Sequence, residues 1–431
     1  MSAAVAARNE YPDVGITLFS SDPYPFYNRI ALCAFITRKK QQDHLYFHCA
    51  DRLRGDGIDA RWGEDVESID PGRGTVISKD GKRWGYDRLI LATGAVPKVP
   101  TIEGIDSKGV FTLWSLADAI GARDALVDAG TVAIIGGGVL GVETAVELAN
   151  AGKKVTIFEA GDSVLPLHLD RISSGMFGEF LREKGIDTRL STSVERLETR
   201  GAALRVIHHG GGLDADMVLL MAGASPDTRL ARSAGIKCDD GIIVDSHMNT
   251  DVAGISACGN CAQLDGERNL LWNPARAQGE IAGANAFENR HKATSEPLVI
   301  HLKMPEMPLF VCGNPIYRER GDMVIDDRSG RAYRALRFDD RYRIKSAIFL
   351  FETDGFYEIE KTIRRALPVQ KDLVEARDID GIVESVSVPP DDDDYRSSGW
   401  VCRMCGYSHE GDYPPEICPV CSVGKDQFLV A

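Results

Sequence analysis

The chain has 431 residues, too many for one ordinary core and enough for about three domains. With 44% apolar and 26% charged residues it has the composition of a folded globular protein, and no run reaches the uninterrupted apolar length that a membrane span requires. A formal net charge of −14 argues against nucleic acid or an anionic membrane as a partner, since both reward clustered Lys and Arg.

The opening stretch, MSAAVAARNEYPDV, has no basic segment followed by an apolar core. No secretory signal is read there, and the chain is expected in the cytoplasm. Residues 3–10 read as the end of a helix, Val14–Phe19 as a strand, and Ser20–Leu32 as a loop rich in aromatics and prolines. A first mononucleotide-binding unit in this place would have its opening strand and glycine turn ahead of residue 1. Asp43–Arg54 is compatible with a helix. Ile58–Trp62, Glu64–Ile69 and Gly74–Ser78 alternate like strands, with Asp80-Gly81 as a hairpin turn. Tyr86–Ala92 is a short apolar strand ending in Thr93-Gly94-Ala95, and Pro97 and Pro100 mark a crossing between domains.

Thr131–Glu159 carries the strongest local pattern. An apolar run, Thr131–Ile135, leads into Gly136, Gly138 and Gly141 in G-x-G-x-x-G, then into helical spacing through Val142, Ala145, Leu148 and Ala149. A second apolar run, Val155–Phe158, ends in Glu159. The first glycine permits a tight turn, the second lets backbone N–H groups approach a pyrophosphate, and the third lets helix pack on strand. Glu159 can accept hydrogen bonds from ribose hydroxyls and would repel a 2′-phosphate, which favours NAD over NADP. Glycine triplets also occur in purely structural turns; here strand, helix, second strand and terminal carboxylate stand in the order a dinucleotide site needs.

A helix near Ile172–Lys184, strand pairs over Asp187–Ile207 and a buried strand Met217–Met221 follow. A second glycine turn, Gly223-Ala224-Ser225-Pro226, comes next, then Gly241–Asp245, Gly254–Cys261 and a helix over Ala275–Phe287. Residues 297–385 form a separate α+β stretch with a strand over Tyr342–Phe351 and a helix over Phe356–Ala366. Ser387–Ser398 (SVPPDDDDYRSS) is an acidic linker that cannot bury enough apolar surface to fold.

From Gly399 onward the chain holds Cys402-x-x-Cys405 and Cys418-x-x-Cys421, four of its ten cysteines. In a cytosolic chain such pairs point to metal rather than disulfides. Four thiolates form a tetrahedral site that suits zinc or a single iron, and a core this small needs such a staple. Cys258 and Cys261 form another C-x-x-C, read either as a redox dithiol or as incidental neighbours. Cys33, Cys49, Cys238 and Cys312 are isolated and read as packing residues.

Two resemblances organise these signals. WVCRMCGYSHEGDYPPEICPVC, with Gly406-Tyr407 after the second cysteine and Pro419 after the third, resembles the rubredoxin domain of rubrerythrins. It implies iron held by Cys402, Cys405, Cys418 and Cys421, with Trp400, Tyr407, Tyr413 and Phe428 as the aromatic core. Residues 1–385 resemble the pyridine nucleotide-disulfide oxidoreductase superfamily, in the branch of NADH-rubredoxin reductases and nitrite reductase large-subunit flavodomains. Thr93-Gly94 is similar to that family's turn beside FAD. Gly136, Gly138, Gly141, Glu143 and Glu159 match its NAD unit, and Gly223 and Pro226 its closing G-x-x-P. Gly259-Asn260 stands where the family has the Gly-Asp pair that meets the ribityl chain, with Asn in place of Asp. Ala277, Gln278 and Gly279 match the following helix start. The loop keeps Pro25, Tyr27, Arg29 and Leu32 of P-Y-x-R-P-x-L-S, while Ile30 and Cys33 replace its Pro and Ser.

The implied fold is α/β, with two Rossmann-like nucleotide-binding domains of glutathione-reductase type, a small α+β domain and a small rubredoxin-like metal domain. The implied boundaries are 1–108 for the first, N-terminally truncated part of an FAD domain, 109–237 for the NAD domain and 238–296 for the second FAD part. A small reductase domain (297–385), the linker (386–398) and the rubredoxin-like domain (399–431) complete the chain. Family members hold the FAD pyrophosphate on an opening strand and glycine turn, so weakened FAD binding is expected here. The implied activity takes electrons from NADH through FAD to a rubredoxin-type iron and on to an external acceptor: oxygen, peroxide, nitric oxide or a redox protein. No side chain need act as acid or base, and homo-oligomerisation is left open. A disulfide or peroxide reductase using Cys258 and Cys261, or a flavin-deficient NAD-binding and iron-binding electron-transfer module, are the competing readings.

Overall fold

The computed structural model describes residues 1–47, 53–295, 297–302, 304, 306–317, 319–386, 399–402, 408–410, 415 and 428–430. At its centre is a five-stranded parallel sheet in the order β11-β10-β9-β15-β8. These strands are β8 (Val110–Thr112), β9 (Thr131–Ile135), β10 (Lys154–Phe158), β11 (Asp187–Arg189) and β15 (Met217–Leu220). β9 lies in the middle with β10 on one edge and β15 on the other, paired Ile134 to Ile157 and to Leu219. Its buried Val132–Ile135 run is apolar on both faces, as a strand covered on both sides requires. We call this the central unit.

Chain segments on either side of it build an outer unit. The first helix, α1 (Ser2–Glu10), leads into β1 (Ile16–Ser20), which pairs in parallel with β2 (Ile58–Trp62). The helix α2 (Leu32–Ile36) closes the loop between them. A three-stranded meander follows: β3 (Val66–Asp70), β4 (Thr75–Ser78) and β5 (Arg83–Gly85), with Gly81 at φ 86° in the expected hairpin turn. Then β6 (Leu89–Leu91) pairs in parallel with β18 (Ile255–Ala257). Among the described residues β1–β2 and β6–β18 are separate two-stranded sheets.

The central unit's helices are α3 (Leu116–Ala125), α4 (Val139–Asn150) and α5 (Arg171–Glu183). α3 starts on a reciprocal cap between Ser115 and Asp118, and α5 on Asp170, whose carboxylate accepts from Ser173 N at 2.8 Å. Beyond the crossing a short helix, α6 (Arg229–Ser233), precedes β17 (Ile242–Val244), and α7 (Trp272–Ala284) packs on α1. That contact is backbone to backbone: a Cβ on Gly283 would lie 2.1 Å from the Ala3 carbonyl oxygen. The helix thus begins ahead of the expected Ala275. In the stretch expected as a helix over Asp43–Arg54, Gln42–Leu45 forms a 3-10 turn, residues 48–52 lie outside the described set, and residues 53–55 are helical.

Residues after 298 form a five-stranded antiparallel sheet, β20-β21-β24-β23-β22, backed by α8 (Phe356–Arg365). It comprises β20 (Val299–Leu302), β21 (Leu309–Gly313), β22 (Met323–Ser329), β23 (Ala332–Phe338) and β24 (Ile344–Leu350). Its Ile300, Leu309, Tyr333 and Leu350 merge with Val155, Phe177 and Leu181 of the central unit in one apolar core. Tyr333 Oη donates to Asp170 at 2.6 Å across the same seam. The last segment is a three-stranded antiparallel sheet: Gly399–Cys402 pairs with Ser408–Glu410 and with Phe428–Val430. The acidic linker lies outside the described residues.

Candidate functional site

The Thr131–Glu159 segment folds in the order its sequence predicts, and each glycine has a distinct reason. Gly136 has φ 119°, and a Cβ there would stand 2.2 Å from the Met221 carbonyl oxygen. A Cβ on Gly141 would stand 2.0 Å from the Gly136 carbonyl oxygen, so only glycine lets α4 approach β9 this closely. At Gly138 nothing lies within 4 Å of an added Cβ. Gly138 is also the N-cap of α4 and makes no side-chain cap, so the helix opens with its N–H groups toward that free space. Uncapped N–H groups beside open space fit a pyrophosphate.

Glu159 stands at the end of β10, beside this turn. Its Oε2 accepts from Gly137 N at 2.6 Å and its Oε1 from Gly161 N at 2.7 Å, so two backbone amides fix the carboxylate. Each oxygen keeps a lone pair for a ribose hydroxyl. Glu143, on the second turn of α4, lies close enough to α2 for its charge to act on Cys33.

The two crossings between the units pair with each other. β7 (Ala95–Pro97) and β16 (Ala224–Pro226) form an antiparallel ribbon, with Lys98 N donating to the Gly223 carbonyl at 2.9 Å and Gly223 at φ 91°. Thr93 Oγ1 donates to the Asp227 carbonyl at 2.5 Å, and Asp227 N to the Gly94 carbonyl at 2.9 Å. Thr93-Gly94 and Gly223–Pro226, read as separate motifs, are therefore one structural joint. Asp227 is the residue that the sequence reading missed, and its place directly after Pro226 was the available signal.

At the end of β18, Gly259 N donates to Gln278 Oε1 of α7 at 2.9 Å, which brings both expected residues together. Asn260 Nδ2 donates to the Leu270 carbonyl at 3.3 Å, whereas its Oδ1 is buried and lacks a partner among the described residues. An orphaned amide oxygen fits a ligand hydroxyl, so this end of the outer unit suits a ribityl chain. Arg29 opens the 3-10 turn after the aromatic loop, 3.8 Å from Asp22 and 5.7 Å over the Tyr27 ring. Tyr27 Oη is itself anchored, donating to Asp22 at 2.7 Å and accepting from Leu116 N at 2.8 Å. Burial pushes its pKa up.

The Cys258–Cys261 pair is buried and free of a disulfide. Burial first, and the neighbouring thiol second, push Cys258 up to about 12, and Cys261 donates to the Cys258 carbonyl at 3.2 Å. Neutral, buried thiols are poor nucleophiles, which argues against a dithiol role. Cys33 is pushed up to about 12 as well, by burial and then by Glu143, and lies 3.1 Å from Thr144 Oγ1. It acts as packing between α2 and α4, as expected. Of the four metal-site cysteines, Cys402 ends a strand of the last sheet, while Cys405, Cys418 and Cys421 lie outside the described residues.

Residues 1–279 match the family model described as pyridine nucleotide-disulphide oxidoreductase, and residues 400–429 match that of the rubrerythrin, rubredoxin-like domain. The nitric oxide reductase FlRd-NAD(+) reductase of Shigella flexneri is 28% identical over 341 residues, covering 78% of this chain and 89% of that protein. An assimilatory nitrate reductase electron transfer subunit of Bacillus subtilis is 30% identical over 76% of this chain and 43% of its own length. The NADH:rubredoxin oxidoreductase of Clostridium acetobutylicum superposes with a TM-score of 0.73 at 25% identity, covering 87% of this chain and 96% of that one. A putidaredoxin reductase–putidaredoxin complex shares the fold, with a TM-score of 0.82 at 24% identity over 89% of this chain and 94% of that one.

Proposed function

Because the chain belongs to the pyridine nucleotide-disulphide oxidoreductase family, we propose that it is an NADH-dependent flavoprotein reductase that delivers electrons to the rubredoxin-like domain at its own C-terminus. Members of this family use FAD and NAD. The observation that carries the reading is the joining, in one chain, of a formed dinucleotide turn with a rubredoxin-like segment. FAD, when bound, supplies the conversion between the two-electron chemistry of a nicotinamide and the one-electron chemistry of a single iron.

The residues themselves have binding and orienting roles. Gly136, Gly138 and Gly141 bring the α4 N–H groups to the pyrophosphate of NADH, and Glu159 takes the adenosine ribose and excludes a 2′-phosphate. Thr93 and Gly94, locked to Asp227, and Gly223 fix the joint on which the nicotinamide half is aligned with the outer unit. Asn260 Oδ1 accepts from a ribityl hydroxyl, and Gly259 and Gln278 hold that turn in place. Arg29, on the aromatic loop, would help hold the flavin, and Glu143, on α4, belongs with Gly136, Gly138, Gly141 and Glu159 to the NAD unit. Cys402, Cys405, Cys418 and Cys421 hold the iron, which by resemblance displaces zinc as the metal of choice. The segments 1–108 and 238–296 act as the FAD part, 109–237 as the NAD part, and 386–398 as the tether of the iron domain 399–431.

The final acceptor belongs to the class of redox proteins or small oxidants that a one-electron iron centre can serve. No helix among the described residues is long and apolar enough to cross a membrane. The decisive experiment loads the full chain with iron and FAD and adds NADH without oxygen. Bleaching of the ferric-thiolate absorption is the expected result, and persistent colour with FAD bound and NADH in excess would overturn the reading.

A further inference from the structure

The loop and helix between β1 and β2 belong to the outer unit by chain order and to the central unit by packing. The outer unit's strands and helices share an apolar cluster of their own, with Leu91 and Ile255 from β6 and β18 and Ala3 and Ala282 from α1 and α7. Tyr27, Leu32 and Phe35 are instead buried with Leu116 of α3 and with Val142 and Ala145 of α4. The segment that carries Arg29 therefore rests on α3 and on α4, the helix that opens at the dinucleotide turn.

The polar contacts of this seam converge on the first residue of α3. Leu116 N is one of the donors that a helix start leaves without an intrahelical acceptor. Ser115 Oγ is taken by Asp118 N at 3.1 Å, and Leu116 N donates to Tyr27 Oη at 2.8 Å. Tyr27 is only 4% exposed, and burial keeps its phenol protonated, so it donates to Asp22 Oδ2 at 2.7 Å while its oxygen serves Leu116. The same Asp22 carboxylate lies 3.8 Å from Arg29. Trp114 Nε1 donates to the Ala95 carbonyl of β7 at 2.8 Å, which ties the approach to α3 to the joint as well. Farther along the seam, Lys39 pairs with Glu147 at 2.6 Å, but with Lys39 half exposed this pair contributes little. Cys33 Sγ lies 3.1 Å from Thr144 Oγ1, and a thiol is a weak hydrogen-bonding group. The buried Tyr27 hydroxyl is thus the strong polar link between the Arg29 loop and the central unit.

We propose that Tyr27 is a positioning residue: its hydroxyl, held between Asp22 and Leu116 N, sets the central unit at one angle to the loop that carries Arg29. The consequence for turnover rests on the reductase reading. NADH is bound through the α4 turn and Glu159, and the Tyr27 hydroxyl bonds elsewhere, to Asp22 and Leu116. The flavin is held by the outer unit. Hydride passes with its electron pair from NADH to FAD only when the reacting atoms are brought into contact, and a small rotation of one unit against the other is enough to lose that contact. The hydroxyl therefore acts on the rate of this step and not on the affinity for NADH.

The test is Tyr27→Phe in the full chain loaded with iron and FAD, which removes the hydroxyl and keeps the ring. Single-turnover flavin reduction at saturating NADH should slow by about tenfold, while the dissociation constant for NADH stays within about twofold of wild type. A purely structural loss would lower the folded fraction without this split between rate and affinity. Leu116→Pro deletes the same bond from the other side, and proline is accepted at the first position of a helix. The double variant should be no slower than the slower single variant, whereas multiplied losses would overturn the coupling of the two residues. Amide exchange at Leu116 should rise by about tenfold in Tyr27→Phe, with or without flavin. Unchanged exchange, unchanged flavin reduction, or a loss of affinity as large as the loss of rate would each overturn the proposal. A wild-type chain that binds FAD and NADH yet reduces no flavin would count against the reductase reading alone, because exchange at Leu116 is read without NADH.

Discussion

The central and outer units differ in how their strands are paired. In the central unit β9 joins β10 to β15, is buried along four consecutive residues, and delivers Gly136 directly into the start of α4. In the outer unit, among the described residues, β1 pairs with β2 alone and β6 with β18 alone, and most of their side chains are half-buried. The middle strand of such a sheet therefore has two tasks that cannot be separated. It pairs two edges, and it carries the turn that presents backbone N–H groups to a phosphate. In the central unit binding and stability thus share the same residues, whereas the turns after β6 and β18 are held by bonds of their own, through Thr93, Asp227, Gly259 and Gln278.

Four measurements would break or sharpen this comparison. The largest effect is expected at Gly141→Val, which forces a side chain into a 2.0 Å contact with the Gly136 carbonyl. It should destabilise the central unit by about 3 kcal/mol and lower affinity for NADH by about 100-fold, read by calorimetry and by quenching titration. Wild-type affinity in this variant would sink the assignment of the turn. Native-state hydrogen exchange comes next: amides of β9 and β15 should exchange about 10- to 100-fold more slowly than those of β1 and β6. Equal protection in the two units would mean that pairing on one side alone does not weaken β1 and β6.

Glu159→Gln should reduce NADH affinity by about tenfold and narrow the gap between NADH and NADPH, since the charge that repels a 2′-phosphate is gone. An unaltered preference in competition binding would show that selectivity is set elsewhere. The smallest effect concerns the thiols of the outer unit. Cys258 is pushed up to about 12 by burial, above the ordinary thiol value, so its stabilising contribution is complete below about pH 8.5 and is lost as pH rises toward 12. Chemical denaturation from pH 7 to 10 should show stability falling at the alkaline end, with a shallower slope in Cys258→Ala. Identical slopes would remove Cys258 as a cause.

Much of this was legible in the residues. G-x-G-x-x-G between two apolar runs, followed by Glu159, can hardly fold otherwise: the glycines are needed where no Cβ fits, and the runs are apolar because both faces of their sheet are covered. The hairpin at Gly81, the helix on Asp170 and the strand before Phe351 follow from equally local causes. The late start assigned to α7 is also a local error, since spacing alone does not fix where a helix is capped.

Sequence could not show that Thr93-Gly94 and Gly223–Pro226 are one joint, that Asn260 keeps an oxygen unpartnered among the described residues, or that Cys258 and Cys261 are buried. Each depends on separate segments of the chain meeting in space, and on what their burial does to hydrogen bonding and charge. The sequence by itself determined which strands exist and which turn can cradle a phosphate, because those depend on neighbouring residues. Only the tertiary structure decided which edges are paired, since pairing depends on how distant segments fold back on one another.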